Sequence, residues 1–149
     1  MMGRPDSPQW SEAKSLGDVA ELAVAEWFIA KGYTVAKSLG RASYDLLAQC
    51  HIEVKHDRLA AQTGRIAVEI GHRGQPSGLL TTQATWWAIV VGREAMLMRT
   101  DTLRRCVMSG RYATRQGGDR MASELVLVPI ADVRGLAGVH VIELGEVRR

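Results

Sequence analysis

Residues Tyr44 to Asp57 read Y-D-L-L-A-Q-C-H-I-E-V-K-H-D, and the reading of this stretch decides the fold. Tyr44 to Gln49 is short, apolar and bounded by charge, as a strand is. The second half alternates: His51, Glu53 and Lys55 fall on one face of a strand, Ile52 and Val54 on the other. A hairpin centred near Gln49 sets Asp45 directly opposite Glu53. Two carboxylates held that close repel unless a cation lies between them, and oxygen-only ligands suit Mg²⁺, with Mn²⁺ as a substitute. Lys55 then points beside the metal, where it orients a water or offsets an anionic transition state. These are the groups that metal-assisted phosphodiester hydrolysis requires.

Working outward, Ser11 to Lys31 has helical periodicity, with Leu16, Val19, Ala20, Ala23, Trp27 and Ala30 as its apolar stripe and Gly32 as its C-cap. Tyr33 to Leu39 is β-prone, and Gly40 to Ser43 is a turn. After the central stretch, Arg58 to Arg65 reads as a loop. Ile66 to Ile70 is a strand carrying Glu69 among apolar residues, where a carboxylate is costly unless paired or solvated. Glu69 is either a further acid near Lys55 or an outward-facing edge residue. Gly71 to Gly78 reads as a long loop, Leu79 to Thr85 as a short helical segment, and Trp86 to Val91 as a buried strand. Ala95 to Met98, Leu125 to Ile130 and Val139 to Leu144 are further strands. Asp101 caps a helix through about Val107, and Asp132 begins another. Trp27, Trp86 and Trp87 are most simply core residues.

Asp45, seven intervening residues, then Glu53-Val54-Lys55 resembles the PD-(D/E)xK nuclease signature, with Tyr44 in place of its proline. Glu12-Ala13-Lys14 also has the acid-x-Lys form, but it sits in a helical stretch with no preceding Asp. The order helix, strand, Asp strand, ExK strand is the family's. G-D-V-A-E-L-A-V-A-E-W-F-I-A-K-G-Y-T-V resembles the first helix of this class. T-G-R-I-A-V-E-I followed by P-S-G-L-L-T-T-Q-A-T-W-W-A-I-V-V resembles its small phage-borne members. Together the likeness covers roughly residues 17 to 91.

The resemblance implies a restriction-endonuclease-like α/β domain with a mixed central β-sheet flanked by helices. It implies a Mg²⁺-dependent deoxyribonuclease, structure-specific in the manner of Holliday-junction resolvases and acting as a homodimer on DNA. Asp45 and Glu53 become metal ligands, with the Val54 carbonyl a third, and Lys55 orients the nucleophilic water. Glu21 matches the position of a helix Glu that reaches the metal, with Glu26 as its rival. Gln83 lies where some members carry a Gln that contacts substrate or orients the site. One alternative is a non-catalytic DNA-binding or assembly protein that keeps this fold. Retention of Asp45, Glu53 and Lys55 together argues against a dead copy. The other is an unrelated fold in which residues 45–55 are an ordinary hairpin with solvated charges.

The chain has 149 residues, of which 46% are hydrophobic and 23% charged, the balance of a soluble domain with one core. Residues 1–10 read as a flexible lead-in and 11–149 as a single domain. No apolar run is long enough to span a membrane, and M-M-G-R-P-D-S-P-Q-W lacks the apolar region of a signal peptide. Cys50 and Cys106 match no metal or redox spacing. The cytoplasm is the expected compartment, or a host cell's cytoplasm if the chain is phage-encoded. The net charge of +3 permits a polyanionic partner. Fifteen of the 19 basic residues are Arg, a bias that phosphate recognition and a GC-rich genome both produce. Residues 99–120 carry six Arg against two Asp, along with Tyr112. Arg104, Arg105, Arg111 and Arg115 are the candidate DNA-backbone contacts, against the alternative of a solvated excursion. There is no G-x-x-x-x-G-K-[ST], G-x-G-x-x-G or G-x-S-x-G, so those nucleotide-binding and hydrolase loops are excluded. His51, His56 and His72 lack metal-ligand spacing.

Overall fold

The computed structural model describes residues 8–38 and 44–145, with side chains from Asp18 onward. The start of the expected lead-in (1–7), the turn at Gly40 to Ser43 and the tail beyond 145 lie outside the described residues. So do the side chains of Leu16 and of Glu12-Ala13-Lys14. The chain is of mixed α/β class. Its contacts divide it into two compact units, Met1–Cys50 and His51–Arg149, with the division inside the Tyr44–Asp57 stretch.

In the first unit, α1 spans Pro8–Ala30 and so begins three residues before the expected Ser11. Proline suits a first helical turn because its missing N–H would have no partner there anyway. The helix ends as read: Gly32 takes φ +86°, and its N–H donates to the Ile29 carbonyl. The chain then forms β1 (Thr34–Lys37) and β2 (Leu46–Gln49), which pair antiparallel with Lys37 opposite Leu46. The Ser38 N–H donates to the Asp45 carbonyl at 2.7 Å and closes this hairpin just before β2 begins. Trp27, expected in the core, is instead 56% exposed, with the Lys31 ammonium 4.4 Å from its ring centre.

The second unit contains β3 (Ile52–His56), α2 (Ala60–Thr63), β4 (Arg65–His72), β5 (Gln75–Pro76) and a 3₁₀ turn at Gly78–Leu80. These are followed by β6 (Trp86–Val91), β7 (Glu94–Arg99), α3 (Thr100–Val107), β8 (Thr114–Gly117) and β9 (Ser123–Pro129). Helix α4 (Ile130–Arg134) and β10 (His140–Glu143) complete it. One four-stranded sheet has the order β10-β7-β6-β3 and the other β5-β4-β9-β8. The β3–β6 pair is parallel and the others are antiparallel. Strands are thus shared among three sheets, counting β1–β2, where the sequence suggested one central sheet.

These pairings correct the expected hairpin centred near Gln49. The partner of β2 is β1, and the partner of β3 is β6. The register with Asp45 directly opposite Glu53 is therefore not one that either strand makes. The physical reason is local: β1 already supplies β2 with an antiparallel ladder, and Asp45 precedes β2 rather than lying in it.

Three segments read as irregular have regular structure. The Arg58–Arg65 loop holds α2, because the Asp57 carboxylate accepts the Leu59 and Ala60 N–H groups (3.1 and 3.0 Å). Gly71 to Gly78 is a hairpin whose turn residues Arg73 and Gly74 both have positive φ (50° and 77°), the geometry that follows strand twist. In residues 99–120 the helix expected from Asp101 to about Val107 is α3, and the part beyond it, with the alternative reading of a solvated excursion, contains β8. Conversely, the helical reading of Leu79 to Thr85 extends only to Leu80.

Both four-stranded sheets bury apolar side chains in one core. Ile66, Val68 and Ile70 of β4 and Val126 and Val128 of β9 join Trp87 and Ile89 of β6 and Met96 and Met98 of β7. Leu103 and Val107 of α3 and Val133 of α4 belong to the same cluster. Period-2 alternation in β4 puts Arg65, Ala67 and Glu69 on the opposite face. A bulge between Glu69 and Gly71 interrupts the β4–β9 ladder. The following 3₁₀ turn packs against that point. Gly78 has φ +55°, and a Cβ there would lie 2.9 Å from the Glu69 Cβ and collide with the Glu69 carbonyl oxygen. Gly78→Ala is expected to destabilise the fold by roughly 2–4 kcal/mol through backbone strain and overlap. Urea unfolding checks this; a midpoint equal to wild type would show that the turn is not held there.

Candidate functional site

Glu53 and Lys55 lie on the β3 face that continues, one strand across, into buried core. In the parallel register Glu53 is beside Trp87, and Lys55 is beside Ile89. Trp87 is 3% exposed and Ile89 1%. The two charged side chains thus stand at the edge of an apolar layer, stems against carbon and heads toward water. Lys55 Nζ is 2.7 Å from Glu53 Oε1 and 5.8 Å from the Trp87 ring centre. As the alternation predicted, Ile52 and Val54 occupy the other face; both are exposed.

Beside Lys55 opens a cavity of about 260 Å³, whose polar lining includes Lys55, His56, Asp57 and Glu69. Glu69 is half-buried on an inner strand of its sheet, and each of its carboxylate oxygens accepts one hydroxyl hydrogen bond. Ser77 Oγ donates to Glu69 Oε1 at 2.6 Å, and Ser123 Oγ donates to Oε2 at 2.8 Å. Ser123 has one hydroxyl proton and gives it to Glu69, so the 3.1 Å contact with His72 Nδ1 is an imidazole N–H donating to Ser123. The Ser77 hydrogen bond is the largest influence holding the Glu69 carboxyl below the usual range. Ser123 and the charges of His72 and Lys55 add to it, against desolvation. Asp57 serves the fold: besides capping α2, its Oδ2 accepts the Ala67 N–H at 2.9 Å.

In the first unit, Glu21 and Asp45 line one shallow depression with Ala20, Val24, Tyr44 and Leu46. Glu26 is exposed and does not line it. Glu21 is engaged, however. Lys37 Nζ lies 2.6 Å from Glu21 Oε2 and 3.1 Å from Asp18 Oδ1. The Glu21 carboxylate, and then Asp18, hold the Lys37 ammonium above its usual range. Glu21 and Asp45 thus share one depression, Glu53 pairs with Lys55, and Lys55 and Glu69 line one cavity. Among the described residues, no three His, Cys, Asp or Glu side chains converge as a metal-ligand group. The donors themselves fit a hard divalent cation: they are carboxylate oxygens, and Glu53 already holds a cation, the Lys55 ammonium, at contact distance.

The basic segment separates into committed and open arginines. Arg104 spans from Asp101 Oδ1 (2.8 Å) to the Leu79 carbonyl (3.1 Å), tying α3 to the 3₁₀ turn. Asp101 stands in the first turn of α3 rather than at its N-cap. Arg111 donates to the Tyr112 hydroxyl at 2.6 Å, which in turn donates to Asp132 at 2.9 Å. The Tyr112 ring packs against the core, which suits an anchor better than a stacking platform. Arg105 on α3 and Arg115 on β8 are exposed, as is Gln83.

Ser77 and Ser123 were not distinguishable in the sequence as members of a polar cluster. Ser77 stands just before a glycine that the turn requires, which is a faint signal. Ser123 had none, because only the β4–β9 ladder brings it opposite His72.

A carboxyl whose pKa is depressed by folding contributes stability above the unfolded carboxyl range, and that stability is lost as pH falls through the folded value. Ser77→Ala is therefore expected to cost about 1–2 kcal/mol at pH 7, with the deficit shrinking as pH falls through the carboxylate range and Glu69 protonates. Urea unfolding at several pH values reads this, and a pH-independent deficit would mean that Ser77 acts on something other than the Glu69 charge.

No family model, no curated protein and no solved structure matches this chain.

Proposed function

We propose that this chain is a metal-dependent DNA endonuclease of the restriction-endonuclease-like type that hydrolyses phosphodiester bonds. The observation that carries the reading is the Glu53–Lys55 pair. An acid and an amine, two residues apart on the strand that pairs in parallel with β6, meet at 2.7 Å beside a polar cavity. An ordinary surface ion pair needs neither the cavity nor the apolar layer behind it. Supporting features are the depression shared by Glu21 and Asp45 and the exposed arginines of the basic segment.

In this reading Asp45 and Glu53, with the Val54 carbonyl and Glu21, hold Mg²⁺ or Mn²⁺. When bound, the metal acidifies a water and neutralises charge on the scissile phosphate. The protein's own groups do the rest. Glu53 and Asp45 supply the negative charge that would hold the cation. Lys55 orients the attacking water or offsets charge that grows on phosphate oxygens, an interaction made chiefly in the transition state. Trp87 and Ile89, both buried, back the stem of Lys55 on one side. The substrate is DNA, recognised by its structure, and the functional unit is a homodimer. No helix among the described residues is long and apolar enough to cross a membrane.

Asp45→Ala or Glu53→Ala is expected to abolish cleavage and leave the fold intact. Lys55→Met keeps the stem and removes the ammonium, so DNA binding should stay within a few-fold while single-turnover cleavage slows by about 10²-fold or more. The measurement is single-turnover cleavage of linear, nicked and branched DNA with Mg²⁺ or Mn²⁺. Full activity in any of these variants would sink the assignment, as would the absence of metal-dependent cleavage by wild type.

The arginines give a second expectation. Arg105→Ala and Arg115→Ala should each weaken DNA binding regardless of sequence and reduce the salt slope by about 0.9 per phosphate contact. Arg104→Ala should chiefly lower stability, since its guanidinium ties α3 to the 3₁₀ turn. Binding isotherms across a salt series test this; an unchanged slope in the Arg105→Ala, Arg115→Ala double variant would remove the segment from the interface.

A further inference from the structure

We propose that Glu69 is a positioning residue: it receives the Lys55 ammonium when Glu53 takes up a divalent cation. The proposal rests on the metal-dependent reading above and concerns what this chain's own lysine does there. Lys55 and a divalent cation compete for one carboxylate. The ammonium sits 2.7 Å from Glu53 Oε1, a place where a cation bound by that oxygen would repel it. If Lys55 stayed, it would weaken cation binding; if it moved into water, it would no longer be placed for the reaction. A second anion beside the first resolves the conflict.

The carboxylates that line the cavity next to Lys55 are Asp57 and Glu69. Asp57 is committed to three backbone N–H groups, those of Leu59, Ala60 and Ala67. Glu69 accepts two hydroxyl hydrogen bonds, one on each oxygen, and a carboxylate has about four acceptor sites. It therefore keeps capacity for an ammonium.

Three independent features build the structure around it. The bulge between Glu69 and Gly71 breaks the strand at this residue, and bulges re-aim side chains beside functional sites. Gly78, at a positive φ and with no room for a Cβ against Glu69, brings Ser77 within reach. Ser123 arrives from β9 and is itself fixed by His72. Both hydroxyls donate to Glu69, so it is held as an anion in a fixed orientation. A carboxylate with only a structural duty would need none of this apparatus beside the ammonium that Glu53 holds.

The test is a double-mutant cycle on Mn²⁺ binding by the full chain, read from the free-Mn²⁺ electron paramagnetic resonance signal, with DNA cleavage measured separately. Wild type should bind Mn²⁺, and Glu53→Gln should abolish binding. Glu69→Gln should weaken binding about tenfold when Lys55 is present, because the ammonium then stays on Glu53, and less than twofold in a Lys55→Met background. A general loss of negative charge, or a damaged fold, would weaken binding equally in both backgrounds, and that result overturns the proposal. Unchanged binding in Glu69→Gln overturns it too, as does binding that survives Glu53→Gln or is absent in wild type. If Glu69→Gln does not fold, Ser77→Ala takes its place, with about a threefold loss expected only when Lys55 is present; equal losses in the two backgrounds again overturn it. The expected cycle in a protein that cuts no DNA would remove the nuclease reading and support the role of Glu69.

Discussion

The antiparallel ladder between Arg65–His72 and Ser123–Pro129 is the constraint on which the second unit depends. It joins strands more than 50 residues apart, so the entropy of closing that loop must be met by what the ladder buries. Ile66, Val68, Val126 and Val128 meet that cost on the inner face, with Met96, Met98 and Leu103 packed against them. On the other face the same pairing, with its bulge, sets Glu69 against Ser123 and turns it toward the cavity beside Lys55. Core and polar cluster are two faces of one ladder.

Charge placement in the chain follows a rule of local compensation. Lys37 answers Glu21 and Asp18, and Lys55 answers Glu53. Two hydroxyls and an imidazole answer Glu69, and three backbone N–H groups answer Asp57. The lysine pairs are exposed and contribute little to stability, since solvent screens them. Their interest is chemical. An ammonium resting on a carboxylate occupies it, and a divalent cation with its greater charge can displace it. The proposed nuclease site is in this sense already arranged for cation exchange. The Asp57 arrangement differs in kind: all three of its bonds hold backbone, so it shapes the cavity wall without taking part in what happens inside.

The basic segment shows why charge counts alone mislead. Six arginines within 22 residues read as a polyanion surface, yet Arg104 holds two parts of the fold together and Arg111 donates to the hydroxyl of its neighbour Tyr112. Arg104 links α3 to the turn that supports Ser77, so it stabilises the polar cluster from behind rather than facing a ligand.

The sequence by itself determined the elements. Periodicity placed the long helix and its glycine stop, the alternation of Ile52 to His56, and the buried β6 strand, because each depends on contacts within a few residues. It also named Glu53 and Lys55 as neighbours, since a strand places residues i and i+2 on one face whatever it pairs with. Strand pairing was decided by tertiary structure. The hairpin drawn between β2 and β3 was locally reasonable, but β1 and β6 are the partners, and that choice depends on distant segments competing for the same backbone groups. Glu69 shows the division most plainly. Its own sequence allowed two opposite readings, and it became a hydrogen-bonded anion only because a glycine turn and a strand 54 residues away closed around it.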